Sequence, residues 1–456
     1  MNISIVILAA GEGTRMRSQL PKVLQRLAGK PLLAHVIETV MQISKAITVV
    51  YGHGGEQVKQ ALAAYDVNWV EQKQQLGTGH AVLQALPTVT HDKVLVLYGD
   101  VPLISVTTLK NLIAQTPEKG IGWLTAKVKK PSGLGRIIRD AANNPVAIVE
   151  EKDASAAQQA ITEINTGICL LPVKNLKTWL PNLKNKNVQG EYYLTDVFAM
   201  AIAEKLPIIT LNPTVNHEIQ GVNNKIELAK LERTYQMHSA NLLLESGVTL
   251  IDPKRFDLRG ELTVGKDVII DVNVVIEGSV KIGANCYLGP NVYVKNSSLA
   301  DNVRVEANSH IEGASVATDC VIGPFARLRP ETILHAKAKV GNFVEVKKSS
   351  IGEGSKVNHL TYIGDATIGA KVNVGAGTVT CNYDGVNKYH TIIEEGAFIG
   401  TNNSLIAPVV IGKNATTGAG SAINKNVPEG ELAIGRAKQV NISGWKRPQK
   451  IEKAKN

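Results

Sequence analysis

A chain of 456 residues is too long for one ordinary domain, and its length predicts two to four. A hydrophobic content of 44% with few aromatic residues is typical of a soluble globular protein, and no stretch reaches the ~18 consecutive apolar residues of a membrane span. The net charge of +10 is concentrated in residues 436–456, which carry seven Lys or Arg and one Glu. Since no nucleic-acid-binding motif accompanies this basic tail, we interpret it as a solvated end that attracts phosphorylated ligands.

The N-terminus and the cysteines indicate a cytoplasmic protein. MNISIVILAAGEG has no basic segment before its apolar run, so it predicts a first β-strand instead of a signal peptide. The cysteines are scattered and form no C-x-x-C pair, which favours reduced thiols over a disulfide or a metal site. They are Cys169, Cys286, Cys320 and Cys381.

Strand-like and helix-like segments alternate through the first half of the chain. This alternation predicts an α/β domain with a mostly parallel sheet and helices on both faces, whose ligands bind beyond the carboxyl ends of the strands. The predicted strands are residues 3–8, 46–50, 94–97, 122–128 and 164–171, and the predicted helices include 33–42 and 56–65.

The segment LAAGEGTRMRSQLPKVL, residues 8–24, follows the first predicted strand. Gly11 and Gly13 have the spacing of a dinucleotide-binding fingerprint, but Met16 replaces its third glycine and no acidic residue follows about twenty positions on. Arg15 and Lys22 suit a triphosphate, because cations offset the charge that develops during phosphoryl transfer. The loop therefore indicates a nucleoside triphosphate, and a glycine turn with two surface cations is the alternative.

Further motifs of the first half suit the rest of a nucleotide site. QKQQLGTGH, residues 72–80, is a glycine-rich turn whose amide side chains suit a base edge. YGDVP, residues 98–102, places Asp100 at the end of a buried strand. A single carboxylate there suits Mg²⁺, which retains several waters, although an ordinary strand-end Asp is the alternative. Short motifs that suit either sugar hydroxyls or simple turns occur at 133–136, 149–152, 163–167 and 221–224.

The sequence pattern changes near residue 250. Residues 225–247 have a helical period and predict a connecting helix. Over residues 250–436 an aliphatic residue recurs every six positions, which is typical of a parallel β-helix, here of about ten coils. Such prisms resemble those of the hexapeptide-repeat acyltransferases, which are left-handed and usually trimeric, with acyl-CoA sites between prisms; a non-catalytic prism is the alternative. The repeat is carried by Val264, Ile270, Ile276, Ile282, Leu288 and Val294, by Ile322, Leu328, Leu334, Val340 and Val346, and by Ile393, Ile399, Leu405, Ile411 and Ile423.

The longest break in this period is TCNYDGVNKYHT, residues 380–391, which predicts a protruding loop of the kind that commonly carries a site. His359 suits a general base near neutral pH, as the deprotonation of an amine requires, although a corner or stacking histidine is the alternative. Arg329 and Lys347 suit a sugar phosphate.

L-A-A-G-x-G-T-R-M followed by P-K is a mark of the sugar-nucleotide pyrophosphorylases. With L-G-T-G-H, Y-G-D-x-P, E-x-N-T-G, G-V-N-N and the prism, nearly the whole chain resembles the bifunctional bacterial N-acetylglucosamine-1-phosphate uridylyltransferases and glucosamine-1-phosphate N-acetyltransferases. The resemblance implies a Rossmann-like nucleotidyltransferase domain at 1–224, a linker helix at 225–248, a left-handed parallel β-helix of hexapeptide repeats at 249–437 and a basic tail at 438–456.

The resemblance also implies a cytoplasmic homotrimer without nucleic-acid partner or membrane span. It would acetylate glucosamine-1-phosphate with acetyl-CoA, then react N-acetylglucosamine-1-phosphate with UTP in the presence of Mg²⁺ and release pyrophosphate. For uridylyl transfer, the implied catalytic cations are Arg15 and Lys22. The nucleotide would contact Leu8, Ala9, Ala10, Gly11, Gln72, Gly77 and Thr78. The sugar side would be lined by Tyr98, Gly135, Glu150, Asn165 and Asn223, and Mg²⁺ would be held by Asp100 and Asn223.

For acetyl transfer, the resemblance implies that His359 is the base. Glucosamine-1-phosphate would be bound by Arg329, Lys347, Tyr362, Asn373 and Lys388, and acetyl-CoA by Ala376, Asn382, Tyr383, Thr401, Ala419 and Arg436. Two other classes stay open. One is a single-activity pyrophosphorylase whose prism serves only assembly, against which His359 and Arg329 argue. The other is a sugar-nucleotide sensor or scaffold, which would release no pyrophosphate from UTP.

Overall fold

The computed structural model describes residues 3–450 of the chain. The chain divides into two compact units, Met1–Asn241 and Leu242–Asn456. None of the helices in the described part combines the length and the apolarity needed to cross a bilayer.

The first unit is a sheet enclosed by helices. Its strands are β1 Ser4–Ala9, β2 Arg26–Leu27, β3 Lys30–Pro31, β4 Ile47–Tyr51, β5 Asn68–Glu71, β6 Lys93–Tyr98, β7 Ile121–Lys127, β8 Arg136–Arg139, β9 Pro145–Val149, β10 Glu163–Pro172 and β11 Ile208–Leu211. The helices are α1 Leu32–Met41, α2 Gly55–Ala61, α3 Thr78–Ala85, α4 Val106–Gln115, α5 Ala156–Gln159, α6 Val173–Trp179, α7 Asp196–Ala203 and α8 Lys225–Glu245. The five predicted strands and the first predicted helix are confirmed, with each end at or next to the predicted position. α2 ends a full turn before its predicted end, since the chain turns back toward β5.

The main sheet has the strand order β11-β7-β10-β6-β1-β4-β5, with β8 and β9 attached beside β10. β1 is parallel to β4 and β6, but β10 is antiparallel to both β6 and β7. Four of the six neighbouring pairs in this order are parallel, so the predicted mostly parallel sheet is confirmed, and β10 is its one antiparallel strand. The chain returns to the sheet through the β8–β9 hairpin instead of the helical crossover that parallel strands require.

Alternate residues of β1 point into two different cores. Ile5 and Ile7 pack in a cluster that includes α1, whereas Val6 and Leu8 pack in a second cluster that includes α3, α6 and α7. The predicted helices on both faces are therefore confirmed. Because β1 is central, its carboxyl end at Ala9 lies beside that of β6 at Tyr98.

The predicted connecting helix is confirmed as α8, which ends slightly before the predicted end. Its Leu231 packs in a small core with Met16 and Val222, and its Glu232 accepts a hydrogen bond from the Ala28 backbone N–H at 2.7 Å. The division between the compact units falls inside this helix, so the predicted domain bounds stay predictions.

The second unit is a single run of short parallel strands that confirms the predicted β-helix; its left-handed winding stays a prediction. The strands are β12 Thr249–Leu250, β13 Phe256–Val264, β14 Ile269–Ile270, β15 Val274–Ile282, β16 Tyr287–Leu288, β17 Tyr293–Lys295, β18 Ser298–Leu299, β19 Arg304–Val305, β20 His310–Glu312, β21 Ala314–Val316, β22 Val321–Ile322, β23 Arg327–Leu328, β24 Thr332–Leu334, β25 Lys339–Lys347, β26 Ser350–Ile351, β27 Lys356–Gly364, β28 Ala366–Ile368, β29 Asn373–Val374, β30 Val379–Cys381, β31 Thr391–Ile393, β32 Phe398–Ile399, β33 Ser404–Ile406, β34 Val409–Ile411, β35 Thr416–Thr417, β36 Ala422–Ile423 and β37 Leu432–Ala433.

Each strand of this unit pairs with the equivalent strand of the next coil, and the length of the coil varies. The pair Ile269↔Tyr287 spans three full hexapeptides, whereas the pair His310↔Arg327 spans one residue fewer. The shorter coils explain why the aliphatic period wavers in the middle of the prism. The recurring aliphatic residues are almost all buried inside it.

Many corners of the prism have left-handed backbone at an asparagine, which tolerates positive φ better than most residues. Their side chains connect successive coils. Asn273 Nδ2 donates to Asn291 Oδ1 at 3.0 Å, and Asn291 Nδ2 donates to Asn308 Oδ1 at 3.1 Å.

The predicted protruding loop is confirmed by the change in register across it. The sequence separation of the pair Tyr362↔Val379 equals one short coil. The separation of the next pair, Val379↔Ser404, is larger by more than one hexapeptide. The additional residues form a loop in which Val386 is largely exposed. Residues 438–450 of the basic tail are also exposed.

Candidate active sites

The first candidate site is a cavity at the carboxyl ends of β1 and β6. Among its lining residues are ten that the sequence predicts, namely Leu8, Ala9, Ala10, Gly11, Lys22, Gln72, Gly77, Thr78, Tyr98 and Asp100. It is also lined by Val23, Gln75, Ala81 and Glu191, which sequence reasoning missed. The motif that follows β1 and the motif around residues 72–80 therefore face one space.

The loop after β1 is shaped by its second glycine and by its methionine. Gly13 has a φ of 65°, and a Cβ there would lie 2.7 Å from the Lys22 Cβ, so any side chain would push Lys22 away. A Cβ on Gly11 would meet nothing within 4 Å, which leaves its backbone open to close approach by a ligand. Met16 is buried and fixes the far side of the loop to the core beside α8.

Two cations and two side-chain oxygens meet at one edge of this cavity. The Lys22 ammonium forms an ion pair with Asp100 Oδ2 and lies 3.4 Å from Asn223 Oδ1. Arg15 Nη2 donates to the same Asn223 oxygen at 2.9 Å. The Val222 N–H donates to the Asp100 carbonyl oxygen at 2.9 Å, which holds the two loops together. The structure thus brings together four residues from three separate sequence motifs.

The opposite edge is formed by the glycine-rich turn of residues 72–80. Gln72 is buried, and its Nε2 donates to the Gly77 carbonyl oxygen at 3.1 Å and lies 2.9 Å from His80 Nδ1. Gly77 has a φ of 112°, and a Cβ there would lie 2.6 Å from the Tyr192 carbonyl oxygen. Only glycine fits at this position, and the turn fixes the orientation of Gln72.

The predicted sugar-side residues lie together around Tyr98. A Cβ on Gly167 would lie 2.3 Å from the Tyr98 ring, and a Cβ on Gly135 would lie 3.1 Å from the Glu150 carboxylate. Burial raises the pKa of the Tyr98 phenol, and burial also raises the pKa of the Glu150 carboxyl. Both groups therefore favour their neutral forms relative to the same groups in water.

Asn165 has a structural role that the sequence did not predict. Its Oδ1 accepts hydrogen bonds from Trp123 Nε1 at 2.6 Å and from the Gly167 N–H at 2.7 Å. Its backbone N–H donates to the Gly135 carbonyl oxygen at 2.8 Å. Asn165 therefore holds the glycine that makes room for Tyr98.

Glu191 belongs to the segment GEYYLTD, residues 190–196, from which no site residue was predicted. The Gly79 N–H donates to the Tyr192 carbonyl oxygen at 2.8 Å, so this segment closes over the glycine-rich turn. The sequence did offer a signal for this segment: a glycine is followed by an acidic residue and two tyrosines, and the run has neither the period of a strand nor that of a helix.

The second candidate site surrounds His359, at a corner of the prism on β27. His359 Nδ1 lies 2.9 Å from Asn342 Oδ1 on β25. Tyr362 follows on the same strand and faces Glu345, whereas Asn373 pairs with Lys356 on the other side of the corner. Three of the predicted residues therefore flank a single corner, and Asn342 was missed.

Three cations converge near the carboxyl end of β25. The register Leu328↔Val346 sets Arg329 and Lys347 at equivalent positions of successive coils. The neighbouring Lys388 ammonium lowers the pKa of Lys347, and Arg329 contributes in the same direction. Arg329 is partly balanced by Glu345, whose Oε1 lies 2.8 Å from its Nη1. The excess of positive charge is suited to a phosphate.

The protruding loop contributes Lys388 to this cluster and is braced at its base. Asn382 is buried, and its Nδ2 donates to Asp365 Oδ2 at 2.5 Å. The Tyr383 hydroxyl donates to the Gly385 carbonyl oxygen, and Tyr383 forms an antiparallel bridge with Lys388. The Asn382 amide thus anchors the loop, while the Tyr383 ring remains exposed.

The remaining predicted residues form a row along successive coils. The Asn402 N–H donates to the Ala376 carbonyl oxygen at 2.7 Å, and the Gly420 N–H donates to that of Thr401 at 2.8 Å. Arg436 Nη1 donates to the Ala419 carbonyl oxygen. Ala376, Thr401, Ala419 and Arg436 therefore extend from the second site along one edge of the prism.

Three family models match the chain. The MobA-like NTP transferase domain matches residues 5–161, the GMPPB C-terminal domain matches residues 258–344, and the bacterial transferase hexapeptide (six repeats) matches residues 390–425. The first match covers all the residues that line the cavity at β1 and β6 except Glu191, and the last covers part of the row described above.

Full-length relatives are also found. The bifunctional protein GlmU of Pseudomonas entomophila (strain L48) is 57% identical over 455 residues, with 100% of both chains covered. That of Azotobacter vinelandii (strain DJ / ATCC BAA-1303) is 58% identical over 454 residues and covers 99% of this chain and 100% of its own. Among solved structures, a UDP-glucose pyrophosphorylase complexed with UDP-glucose is 17% identical, covers 52% of this chain and 98% of its own, and has a TM-score of 0.42.

Proposed function

The chain belongs to the family of the bifunctional protein GlmU. We propose that it is a bifunctional enzyme of UDP-N-acetylglucosamine synthesis, with one reaction in each unit. The second unit transfers acetyl from acetyl-CoA to glucosamine-1-phosphate, and the first transfers uridylyl from UTP to N-acetylglucosamine-1-phosphate and releases pyrophosphate. Two observations carry this proposal. Arg15, Lys22, Asp100 and Asn223 meet in the unit that the nucleotidyltransferase model matches, and the unit that the hexapeptide model matches contains His359 and the cation cluster of Arg329, Lys347 and Lys388.

In the first unit, the backbone at Gly11 and the turn at Gly77 receive the nucleotide. The amide hydrogens of Gln72 are directed to Gly77 and His80, so its carbonyl oxygen is the atom that suits the N–H of uracil. The Arg15 and Lys22 side chains face the phosphates and stabilise the charge that develops at the α-phosphate. The sugar phosphate oxygen attacks that phosphorus, and positioning replaces any covalent intermediate.

Asp100 and Asn223 would hold the divalent cation. They offer one carboxylate and one amide oxygen, a donor set that suits Mg²⁺ because this ion keeps several waters. Both oxygens already lie against the charged ends of Lys22 and Arg15, which supports their fit to a cation. When bound, the metal supplies charge neutralisation for the triphosphate.

Tyr98, Gly135, Glu150 and Asn165 would form the wall against which N-acetylglucosamine-1-phosphate binds. The hydrogen bonds of Asn165 keep Gly167 and Tyr98 in place, so its contribution is to shape this wall. Glu150 accepts a hydrogen bond from the Thr195 hydroxyl at 3.2 Å, which orients its carboxyl group.

In the second unit, Arg329, Lys347 and Lys388 bind the phosphate of glucosamine-1-phosphate, while Tyr362 and Asn373 flank the sugar. His359 removes a proton from the ammonium group, and the free amine attacks the thioester carbonyl of acetyl-CoA. The C–S bond then breaks as the amide forms, and the second proton that the attacking nitrogen loses is taken up by the leaving thiolate of coenzyme A. The row from Ala376 to Arg436 and the exposed Tyr383 contact the coenzyme.

The second unit also presents an exposed apolar row. Phe325 and Phe343 stack with ring centroids 5.2 Å apart and are 49% and 55% exposed, and Leu360, beside His359, is 64% exposed. An apolar row of this kind supports burial against another copy, and we propose a homotrimer. Phe343→Asp should give monomers by light scattering; a trimer that persists in that variant contradicts this assembly surface.

A coupled assay of the full chain tests the two reactions. Glucosamine-1-phosphate, acetyl-CoA, UTP and Mg²⁺ are supplied together, then each is omitted in turn, and free coenzyme A and pyrophosphate are measured. We expect His359→Ala to abolish coenzyme A release and spare pyrophosphate release from supplied N-acetylglucosamine-1-phosphate. Asp100→Ala should do the reverse. Loss of both activities in either variant contradicts separate sites, and pyrophosphate release without any acetylation supports a single-activity pyrophosphorylase.

Because UTP and acetyl-CoA are cytoplasmic metabolites, we place the enzyme in the cytoplasm.

A further inference from the structure

We propose that Asn342 is a positioning residue for acetyl transfer, which fixes His359 in the tautomer of a general base. The inference rests on the proposed role of His359. In the part of the chain that the structure describes, the only hydrogen bond of the His359 ring is the one between Nδ1 and Asn342 Oδ1, at 2.9 Å. Within a single chain His359 is otherwise exposed, so this is the intrachain contact that orients the ring.

The pair sits on an extended part of the prism. Most strands of this unit have two or three residues, but β25 and β27 have nine each. Asn342 lies directly opposite His359 in the register of these two parallel strands. The two strands also pair at Val340↔Val357 before the contact and at Val344↔Thr361 after it, which limits how far the two side chains can separate.

The identity of the acceptor determines which ring nitrogen is free. A carbonyl oxygen accepts a hydrogen bond, so Nδ1 carries the proton and Nε2 keeps its lone pair. A base that receives a proton from the substrate ammonium needs this lone pair directed away from the prism. Partners of this kind fix the tautomer of histidine in metal sites and in catalytic triads.

The neutral amide also differs from a carboxylate in its electrostatic effect. A carboxylate at this position would stabilise the imidazolium and raise the pKa of the ring, so that the base would be protonated up to a higher pH. The ionisable residues on the paired strands, besides His359 itself, are Lys339, Glu345 and Lys347 on β25 and Lys356 and Tyr362 on β27. In the following coil, residues 373–380 include no ionisable side chain. Asn342 thus orients the ring without adding charge.

Acetyl transfer by full-chain variants tests the proposal. In Asn342→Ala the ring can adopt either tautomer, and we expect kcat to fall about 10- to 100-fold, a part of the 10²–10⁴ that general-base catalysis contributes. The KM values of both substrates should stay within about two-fold of those of the unmodified protein. Asn342→Asp keeps an acceptor oxygen, so kcat should recover at high pH, while the acidic limb of the pH–rate profile moves upward by about one pH unit.

The matched control is Ser350→Ala, which removes a hydrogen bond from another histidine of the prism, His335, at 3.0 Å. It should leave acetyl transfer unchanged, and melting curves check that all variants are folded. If Asn342→Ala does not fold, Asn342→Asp decides through its pH profile. Suppose that His359→Ala is inactive. A normal kcat in Asn342→Ala, or a pH–rate profile of Asn342→Asp whose acidic limb does not move, then overturns the proposal. If His359→Ala retains acetylation, the proposed base itself fails, and the positioning role fails with it.

Discussion

Replacing Lys22 by Met removes one ammonium group and keeps a side chain of similar length. In the unliganded protein this ammonium pairs with Asp100, and both side chains are largely buried, with 15% and 17% of their areas exposed. Such a pair is screened less than a surface ion pair. With Asp100 as the proposed ligand of the divalent cation, Lys22 would compete with that cation for the carboxylate. We expect Lys22→Met to bind the cation more tightly and to catalyse uridylyl transfer more slowly.

The size of both effects follows from the contacts of Lys22. A hydrogen bond between charged groups contributes about 1.5–3 kcal/mol, which the cation must displace. At about 1.4 kcal/mol per tenfold, its removal tightens cation binding about 10- to 150-fold. Loss of a group that stabilises developing charge costs about 2.7–4 kcal/mol, so kcat for uridylyl transfer should fall about 10²- to 10³-fold.

Mn²⁺ provides the assay, because electron paramagnetic resonance measures the free ion in a titration of the nucleotide-free protein. Lys30→Met is the matched control, since it breaks a different ion pair of the same unit, Lys30 with Glu38. Their side chains are 35% and 39% exposed, and neither residue lines the cavity. The reasoning is refuted if Lys22→Met binds Mn²⁺ no more tightly than the control and the unmodified protein. A slower uridylyl transfer would then reflect the phosphate contact alone.

Three further changes have defined outcomes. Gly77→Ala places a side chain on backbone with a φ of 112°, so the free energy of unfolding measured in urea should fall by about 1–3 kcal/mol. The KM for UTP should rise, and an unchanged KM contradicts the proposed role of the turn. Asn165→Leu leaves the buried Trp123 N–H without its acceptor, at a cost of about 1–3 kcal/mol in the same assay, whereas Asn165→Asp should cost less. Lys388 lowers the pKa of Lys347, so affinity for glucosamine-1-phosphate should decline with rising pH earlier than for an ordinary lysine. Lys388→Met should shift that decline, followed as KM, to higher pH; an unmoved profile refutes the coupling.

The strands of the first unit could be predicted because each is a short apolar run followed by polar residues. The direction of β10 could not, since a strand buried on both faces has the same composition whether it is parallel or antiparallel. Direction depends on the connection, and here the β8–β9 hairpin replaces a helix. Asp100 was predictable because it directly follows a buried strand, but its pairing with Lys22 joins residues 78 positions apart.

Met16 shows how a departure from a motif can be informative. From the sequence it was only the absence of a third glycine, but in the structure its side chain is buried with Val222 and Leu231. Val222 precedes Asn223, so the same core supports both the loop that carries Arg15 and the loop that carries the proposed metal ligand. A glycine at this position would remove that support.

Asn342 could not be found from the hexapeptide period. A strict count of three hexapeptides places Gly341 opposite His359, but the coil here is one residue shorter and places Asn342 there. The corner at which a coil is shortened depends on backbone conformation, for example on the φ of 55° at Phe343. The amino-acid composition of the repeat does not predict which corner this is.

The register on either side of the protruding loop has an evolutionary consequence. Across the loop, Ala366 pairs with Thr391 over an enlarged coil, yet Thr391 pairs onward with Val409 at the spacing of three full hexapeptides. Because each coil contacts only its neighbours, a corner can gain or lose residues without disturbing the rest of the stack. Doubling the length of such a loop costs only about 0.6 kcal/mol in closure entropy. The corner beside Asp365 is therefore a place where the chain can gain or lose residues while the buried aliphatic column stays the same.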